Sequence, residues 1–175
     1  ALIMADMPFG SYQCGDDEAM RNAVAFLKEA DADWVKLEVD ADDVALVRRM
    51  ARSGIPVVAH LGSRPQHYKS LGGYASAGRQ DWEVELIVET AGMMVEAGVS
   101  GILLEAVPDA VSRRVVDKAI HPATGQAIPV IGCGAGPMVH GHVVVMQDIM
   151  SMTSWQPPFA KPLADVGTAM RDAAA

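Results

Sequence analysis

The feature that most constrains the fold is an alternation of short apolar runs with stretches of helical periodicity. The apolar runs lack polar alternation and end at Gly, Pro or charged residues, which is typical of parallel strands covered on both faces. We predict strands at 1–6, 34–39, 56–61, 101–106, 129–132 and 142–147. Helical spacing recurs in 16–30, 42–53 and 81–97, and Gly54 and Gly98 follow the last two. This alternation predicts an α/β fold with a parallel sheet and helical crossovers.

Polar side chains collect at the C-terminal end of each predicted strand. The first four strand ends carry Asp6, Lys36 with Glu38, His60, and Glu105, whereas the glycines of "IGCGAGP" end the fifth strand and Asp148 follows the sixth. Active sites of (β/α)8 barrels lie at this rim, but an open doubly wound sheet also binds its ligand there, so both folds remain open at this point. With a barrel of about 250 residues as reference, the six strands of these 175 residues correspond to about six of the eight β/α units. We expect a single partial barrel domain over 1–175.

Composition narrows the classes of partner. The formal net charge is -8 and the 14 Lys and Arg residues form no cluster, so neither nucleic acid nor an anionic membrane is an expected partner. No apolar stretch approaches the roughly 20 residues that a membrane span requires. The two cysteines lack C-x-x-C spacing, which favours a reducing, cytoplasmic environment over a disulfide framework.

The stretch "VKLEV" is the most specific chemical signal. Lys36 and Glu38 are two residues apart, so both side chains point to the same face of a strand, where buried charges are rare unless paired or functional. The alternative is a salt bridge that only joins strands. Asp6 on the preceding strand could join Glu38 as an oxygen ligand for Mg²⁺, although a turn or N-cap role for Asp6 is also open.

Glu105 in "LLEAVP" is an isolated acid after an apolar strand. Burial raises the pKa of a carboxylate, which suits a general base that removes a proton next to a carbonyl; a capping or pairing role is the alternative. His60 in "AHLG" could shuttle protons, donate a hydrogen bond to substrate, or simply pack at the strand end, and the residues alone favour packing.

Two further motifs do not predict known sites. The stretch "IGCGAGP" lacks the Lys-Ser/Thr of a P-loop and the spacing of a dinucleotide fingerprint, so close backbone approach is the better interpretation. His140 and His142 in "HGH" look like a metal pair, but the sequence offers no third ligand at a supporting spacing.

Several ordered motifs together resemble one family. "ADMPFGSYQ", "VKLE", "GIPVVAHLG", "LGGY", "LLEAVP", "IPVIGCGAGP" and "VVVMQDIMSM" occur in the order found in ketopantoate hydroxymethyltransferases, of the phosphoenolpyruvate/pyruvate barrel superfamily. The resemblance implies a (β/α)8 barrel that transfers a hydroxymethyl group from 5,10-methylenetetrahydrofolate to 3-methyl-2-oxobutanoate, giving 2-dehydropantoate in pantothenate biosynthesis. It also implies a homo-oligomer, since the family forms decamers.

The resemblance also implies a role for each strand-end residue. Asp6 would ligate Mg²⁺ and contact the 2-keto acid, Glu38 would bind the metal directly or through water, and Lys36 would bind substrate oxygens. Glu105 would be the catalytic proton acceptor, and His60 would line the substrate site. A divalent cation and a folate co-substrate are therefore the expected cofactors of a magnesium-stabilised enolate mechanism.

The chain departs from the family pattern at several places. It has no "GDS" motif to supply a further aspartate, Arg64 stands near the expected site mouth, "VHGH" with His140 and His142 replaces "CDGQ", and the segment 121–127 lengthens one connection. These differences leave two alternatives open. One is a paralogue that performs carbon-carbon lyase or other enolate chemistry on a different 2-keto acid, and the other is a truncated, inactive barrel.

Overall fold

A computed structural model describes all 175 residues, which form two compact units, Ala1–Gly141 and His142–Ala175. The strands are β1 Met4–Asp6, β2 Trp34–Glu38, β3 Val57–Gly62, β4 Gly101–Glu105, β5 Val130–Cys133 and β6 Gly141–His142. The helices are α1 Asp16–Glu29, α2 Val44–Arg52, α3 Tyr68–Leu71, α4 Asp81–Ala97, α5 Asp109–Lys118, α6 Met146–Ile149 and α7 Val166–Ala174. None of these helices is long and apolar enough to cross a membrane.

The sheet has the strand order of a barrel. The strands follow one another as β1-β2-β3-β4-β5-β6, and each pair from β1 to β5 is parallel. A doubly wound sheet would instead reverse its strand order at a switch point. The expected α/β fold is therefore confirmed, as six successive strands of a (β/α) barrel with helices between them.

The register brings the polar strand ends together. Asp6 pairs with Lys36, Glu38 with His60, and Gly62 with Glu105 across successive strand pairs. Because paired residues in a parallel sheet are neighbours, the carboxylates, the ammonium and the imidazole predicted from separate strands lie along one edge of this sheet.

Period-two alternation separates the apolar core from the polar face. One set of strand residues belongs to the hydrophobic core that the helices cover: Val35, Leu37, Val57, Ala59, Ile102 and Leu104. Lys36, Glu38 and His60 are equally buried but lie outside that core cluster. The charged residues of β2 and β3 thus occupy the face opposite to the helices, as the spacing of "VKLEV" predicts.

Two strand predictions need correction. The first strand covers only Met4–Asp6 rather than 1–6, and the predicted strand at 142–147 is reduced to Gly141–His142, followed by helix α6. Val143, Val144 and Val145 are each 39–49% exposed, and no strand pairing is recorded for them. A β-favouring composition produces a strand only where a neighbouring strand covers it. Helix α5 was not among the predicted helices.

The second unit is a short helical segment. Its helices are joined through the backbone, since the amide of Leu163 donates to the carbonyl of Ile149, and the amide of Val166 donates to that of Met150. Asp165 caps α7 by accepting a hydrogen bond from the amide of Thr168 at 3.1 Å. Asp148, predicted to follow a strand, lies inside α6.

Candidate active site

A chain of polar contacts crosses four successive strands. Asp6 on β1 is 2.8 Å from the Lys36 ammonium on β2, and Lys36 Nζ is 3.3 Å from His60 Nδ1 on β3. On the other side of the imidazole, His60 Nε2 is 3.2 Å from Glu105 Oε2 on β4. Four residues predicted separately from strand ends are therefore linked side by side, in the order Asp6, Lys36, His60, Glu105.

The contacts determine the tautomer of His60. An ammonium group has no lone pair to accept a hydrogen bond, so Lys36 donates and His60 Nδ1 accepts. A neutral imidazole then carries its proton on Nε2, the nitrogen that faces Glu105. The ring is 1% exposed, and Nε2 makes no aligned hydrogen bond, although Glu105 lies within contact distance. His60 thus presents a buried donor beside the Glu105 carboxylate.

Glu38 is the most enclosed carboxylate of the cluster. It is 3% exposed, and both of its oxygens accept the backbone N–H of Gln66, at 3.1 and 3.0 Å. Its Oε1 is also 3.8 Å from His60 Nδ1. Burial raises the pKa of Glu38 above the usual glutamate value, and the opposing effects of the Gln66 amide, His60 and Lys36 do not cancel it.

Two neutral residues of the cluster, Tyr12 and Gln66, were not predicted from the sequence. The Tyr12 hydroxyl lies 3.1 Å from the carbonyl and 3.2 Å from the amide of Glu38, and 2.9 Å from Gln66 Oε1. Burial, and then the Glu38 charge, raise the pKa of Tyr12, so its hydroxyl stays protonated. Tyr12 belongs to the quoted stretch "ADMPFGSYQ" and Gln66 follows two residues after Arg64, but neutral side chains in loops carry no chemical signal by themselves.

The cluster contains two carboxylates that could supply some of the oxygen ligands of Mg²⁺. The protein contains no group of three or more His, Cys, Asp or Glu side chains arranged to hold a metal ion. Mg²⁺ is commonly bound by one or two carboxylates together with waters and substrate oxygens, and Asp6 and Glu38 are hard donors of that kind. The Asp6 side chain is 58% exposed, and the cation beside it is the Lys36 ammonium.

The two histidines of "HGH" can be described one by one. His140 Nδ1 accepts the backbone N–H of Val130 at 3.0 Å, which ties it to the edge of β5. His142 is exposed, and neither histidine belongs to a group that could hold a metal.

A glycine permits the close approach of β3 and β4 beside the site. Gly62 has a φ of +94°, and a Cβ at this position would collide with the Glu105 carbonyl and the Val107 side chain. The amide of Ser63 donates to that same carbonyl at 2.8 Å. The backbone position of Glu105 therefore depends on the absence of a side chain at Gly62.

The glycines of "IGCGAGP" also serve close packing. A Cβ at Gly136, whose φ is +70°, would overlap the carboxylate of Asp109 at the start of α5. Ser112 Oγ, on the same helix, donates to the carbonyl of Ala135 at 2.6 Å. The loop is thus packed against α5, in agreement with the interpretation as close backbone approach.

Two departures from the family pattern are satisfied locally. Arg64 pairs with Asp40 at 2.8 Å. Partial burial acts to raise the pKa of Asp40, but the bonds from Arg64 and the Asp42 amide outweigh it, and the pKa lies below the usual value. The segment 121–127 closes on itself, since the His121 amide donates to the Gln126 carbonyl and Ile120 forms an antiparallel bridge with Ala127.

A separate cleft of about 230 Å³ does not belong to the polar chain. It is lined mainly by apolar residues that directly follow β2 or belong to β3 and α4, among them Val39, Leu61, Trp82, Leu86 and Ile87. None of Asp6, Lys36, Glu38, His60 or Glu105 contributes to its walls. Its residues Val39 and Leu61 belong to the core that the helices cover, on the opposite face from the carboxylates.

Comparison with known proteins bears directly on this cluster. The family model described as ketopantoate hydroxymethyltransferase matches residues 1–175. The chain belongs to this family. It is 39% identical over 173 residues to the 3-methyl-2-oxobutanoate hydroxymethyltransferase of Pyrobaculum neutrophilum, a match that covers 99% of this chain and 63% of that protein.

Two other members of the ketopantoate hydroxymethyltransferase family give similar values. The enzyme of the same name from Bacteroides fragilis is 40% identical over 174 residues, covering 99% of this chain and 61% of its own length. That of Pyrococcus furiosus is 40% identical over 166 residues, covering 95% and 56% respectively. The chain therefore spans between 56% and 63% of the length of these relatives.

Proposed function

We propose that the protein transfers a hydroxymethyl group from 5,10-methylenetetrahydrofolate to 3-methyl-2-oxobutanoate, giving 2-dehydropantoate for pantothenate biosynthesis. One observation supports this most strongly: at the strand ends of a chain of this family, the Glu105 carboxylate lies beside a buried imidazole, whose other nitrogen contacts an ammonium. The reaction needs a base for a C–H proton next to a ketone and positive groups for the resulting negative charge. The cluster offers both.

Lys36 is the group we assign to the oxygens of the keto acid. Lys36 is 8% exposed, and its ammonium is anchored by Asp6 and His60, which leaves one of its three N–H bonds available for a ligand. A buried cation attracts an anionic ligand more strongly than an exposed one, because little water screens its charge. It would hold the substrate and stabilise the charge that develops on the keto oxygen.

Glu105 is the group we assign to proton removal. It is partly exposed, with 25% of its side chain accessible, so a substrate can reach it. The proton of C3 would pass to its carboxylate, leaving the electron pair in the enolate. The Nε2–H of His60 faces this carboxylate and would offer a donor to the keto acid once Glu105 is protonated.

Asp6 and Glu38 are the residues we assign to Mg²⁺, with water and substrate oxygens completing the coordination. The chemistry that the ion supplies when bound is polarisation of the keto group and stabilisation of negative charge on its oxygen. For Asp6 this requires that its carboxylate serve both Lys36 and the cation. The exposed side chain of Asp6 leaves its second oxygen open for this purpose.

The carbon transfer balances with one water. The C3 carbanion equivalent forms a bond to the methylene carbon of the folate, the carbon-nitrogen bonds of that methylene break, and water supplies the hydroxyl oxygen. Tetrahydrofolate leaves with the electrons of the broken bonds and the protons released at C3 and by water.

The test is a labelled transfer by the full-length protein. It is incubated with Mg²⁺, 3-methyl-2-oxobutanoate and 5,10-methylenetetrahydrofolate carrying ¹³C in the methylene group, and the product is read by NMR. We expect a ¹³C hydroxymethyl group on C3 of 2-dehydropantoate. Parallel reactions with pyruvate and 2-oxobutanoate, and a search for cleavage products of C3-hydroxylated acids, test the paralogue alternative. A folded, keto-acid-binding protein that leaves the label on folate would contradict the proposal.

A further inference from the structure

The backbone of Glu38 lacks a strand partner on the β1 side. Strand β1 ends at Asp6, and the last backbone hydrogen bond from this segment to β2 runs from the Met7 amide to the Lys36 carbonyl at 3.0 Å. The amide and carbonyl of Glu38 point to the same side as those of Lys36, because residues two apart in a strand share an orientation. Buried backbone groups need a substitute partner there.

The hydroxyl of Tyr12 is that substitute. It accepts the Glu38 amide at 3.2 Å and lies 3.1 Å from the Glu38 carbonyl and 2.9 Å from Gln66 Oε1, so its single proton serves one of these two acceptors at a time. Tyr12 is only 5% exposed although it comes from a loop. The Tyr12 side chain thus takes the place of a β1 residue as hydrogen-bond partner for the backbone of Glu38.

Gln66 holds Glu38 from the other direction. Its backbone amide donates to both carboxylate oxygens of Glu38, while its side-chain amide donates to the Met7 carbonyl at 2.9 Å. Its side-chain oxygen accepts hydrogen bonds from the Tyr12 hydroxyl and, at 3.3 Å, from the side-chain amide of Gln13. The carboxylate and the main chain of Glu38 are therefore fixed by one connected set of bonds.

We propose that Tyr12 and Gln66 are positioning residues that set the Glu38 carboxylate for the cation and keto acid of the reaction. The role in that reaction rests on the function proposed above, whereas the hold on Glu38 is a property of the fold itself. A bond network in which each donor meets a buried acceptor stiffens the side chain it surrounds. A fixed carboxylate binds a small, geometrically strict ion such as Mg²⁺ better than a mobile one.

The test uses Tyr12→Phe, which removes one oxygen and keeps the ring in place. In the full-length protein we expect the amide of Glu38 to exchange with solvent deuterium roughly tenfold faster, because its acceptor is lost. The dissociation constant for Mg²⁺, measured by calorimetry without substrate, should rise about fivefold. Gln66→Leu should have both effects, and the double variant should fall short of the product of the single effects, since the two residues share one network.

Tyr74→Phe is the matched control. Tyr74 is 72% exposed, stacks on Tyr68, and makes no contact with Glu38, so both measurements should stay at the wild-type value. If the Glu38 amide exchanges at the wild-type rate in Tyr12→Phe, Tyr12 does not hold the backbone of Glu38. If exchange is faster but the Mg²⁺ affinity is unchanged in both Tyr12→Phe and Gln66→Leu, the two residues do not position the carboxylate for the ion. If the variants show the predicted changes in Glu38 exchange and Mg²⁺ affinity but the wild-type protein transfers no ¹³C label, the proposed function is contradicted and the positioning of Glu38 is not.

Discussion

Replacing Glu105 by glutamine tests the assignment of the base. Glu105→Gln keeps the size and shape of the side chain and removes its negative charge and its ability to accept a proton. The Nε2–H of His60, 3.2 Å from Oε2, can face the amide oxygen of glutamine as it faces the carboxylate. We therefore expect the free energy of unfolding to change by no more than about 1 kcal/mol.

The catalytic effect should be far larger than the effect on stability. General bases contribute about 10²- to 10⁴-fold to rate, which corresponds to roughly 3–5 kcal/mol of barrier. We expect kcat for hydroxymethyl transfer to fall by about 10³-fold. The dissociation constant of 3-methyl-2-oxobutanoate should change less than about threefold, because Lys36 still binds the acid and the charge lost at Glu105 is partly exposed.

The assay is single-turnover transfer from labelled folate, combined with calorimetric binding of the keto acid. Glu89→Gln, at an exposed position on α4, loses the same charge away from the site and should keep both kcat and affinity. A Glu105→Gln enzyme that retains more than a tenth of the wild-type kcat would refute the assignment. A variant that loses keto-acid binding instead would show that Glu105 holds substrate and does not remove its proton.

Three further predictions concern charge, packing and specificity. Because burial raises the pKa of Glu38, its charge costs stability at neutral pH, so Glu38→Gln should raise the free energy of unfolding at pH 7 by about 1 kcal/mol while lowering transfer. Gly62→Ala should cost roughly 2–3 kcal/mol in urea unfolding, more than Gly54→Ala, whose φ is also positive but whose Cβ would meet open space. Arg64→Thr should leave keto-acid affinity within about twofold, because Arg64 is already neutralised by Asp40.

Each of these has a distinct contradicting result. The stability gain of Glu38→Gln over the wild type must shrink as pH falls, since the wild type becomes more stable once Glu38 is protonated. A gain that is constant down to pH 3 would contradict burial of a charged group as its cause. Equal losses for the two glycine variants would remove the argument from close strand approach. A changed order of preference among 2-keto acids in Arg64→Thr would make Arg64 a specificity residue and favour the paralogue alternative.

The strand-end residues could be predicted because their signal is local. Asp6, Lys36, His60 and Glu105 each follow a short apolar run, and parallel strands bring their C-terminal ends to one edge. The pattern also left His60 more easily interpreted as a packed residue. The structure shows that its two nitrogens face Lys36 and Glu105, an arrangement that depends on the register of three strands and is not encoded in "AHLG" alone.

Other features depended on contacts between segments distant in sequence. Tyr12 and Gln66 are 54 residues apart and become part of the site only because β1 stops before β2 does. The predicted strand at 142–147 failed for the opposite reason: its valines have the composition of a strand, but no neighbouring strand covers them beyond His142. Composition indicates where a strand can form, and pairing decides where it does.

The most direct test of the account is exchange of the C3 proton of 3-methyl-2-oxobutanoate in deuterated water. The full-length protein with Mg²⁺, without folate, should replace that one hydrogen by deuterium, because Glu105 can remove and return a proton before any carbon is transferred. Proton NMR would then show loss of the C3 signal with the methyl signals retained. Binding of the acid with a fully retained C3 proton would contradict the central claim that this strand-end cluster performs enolate chemistry.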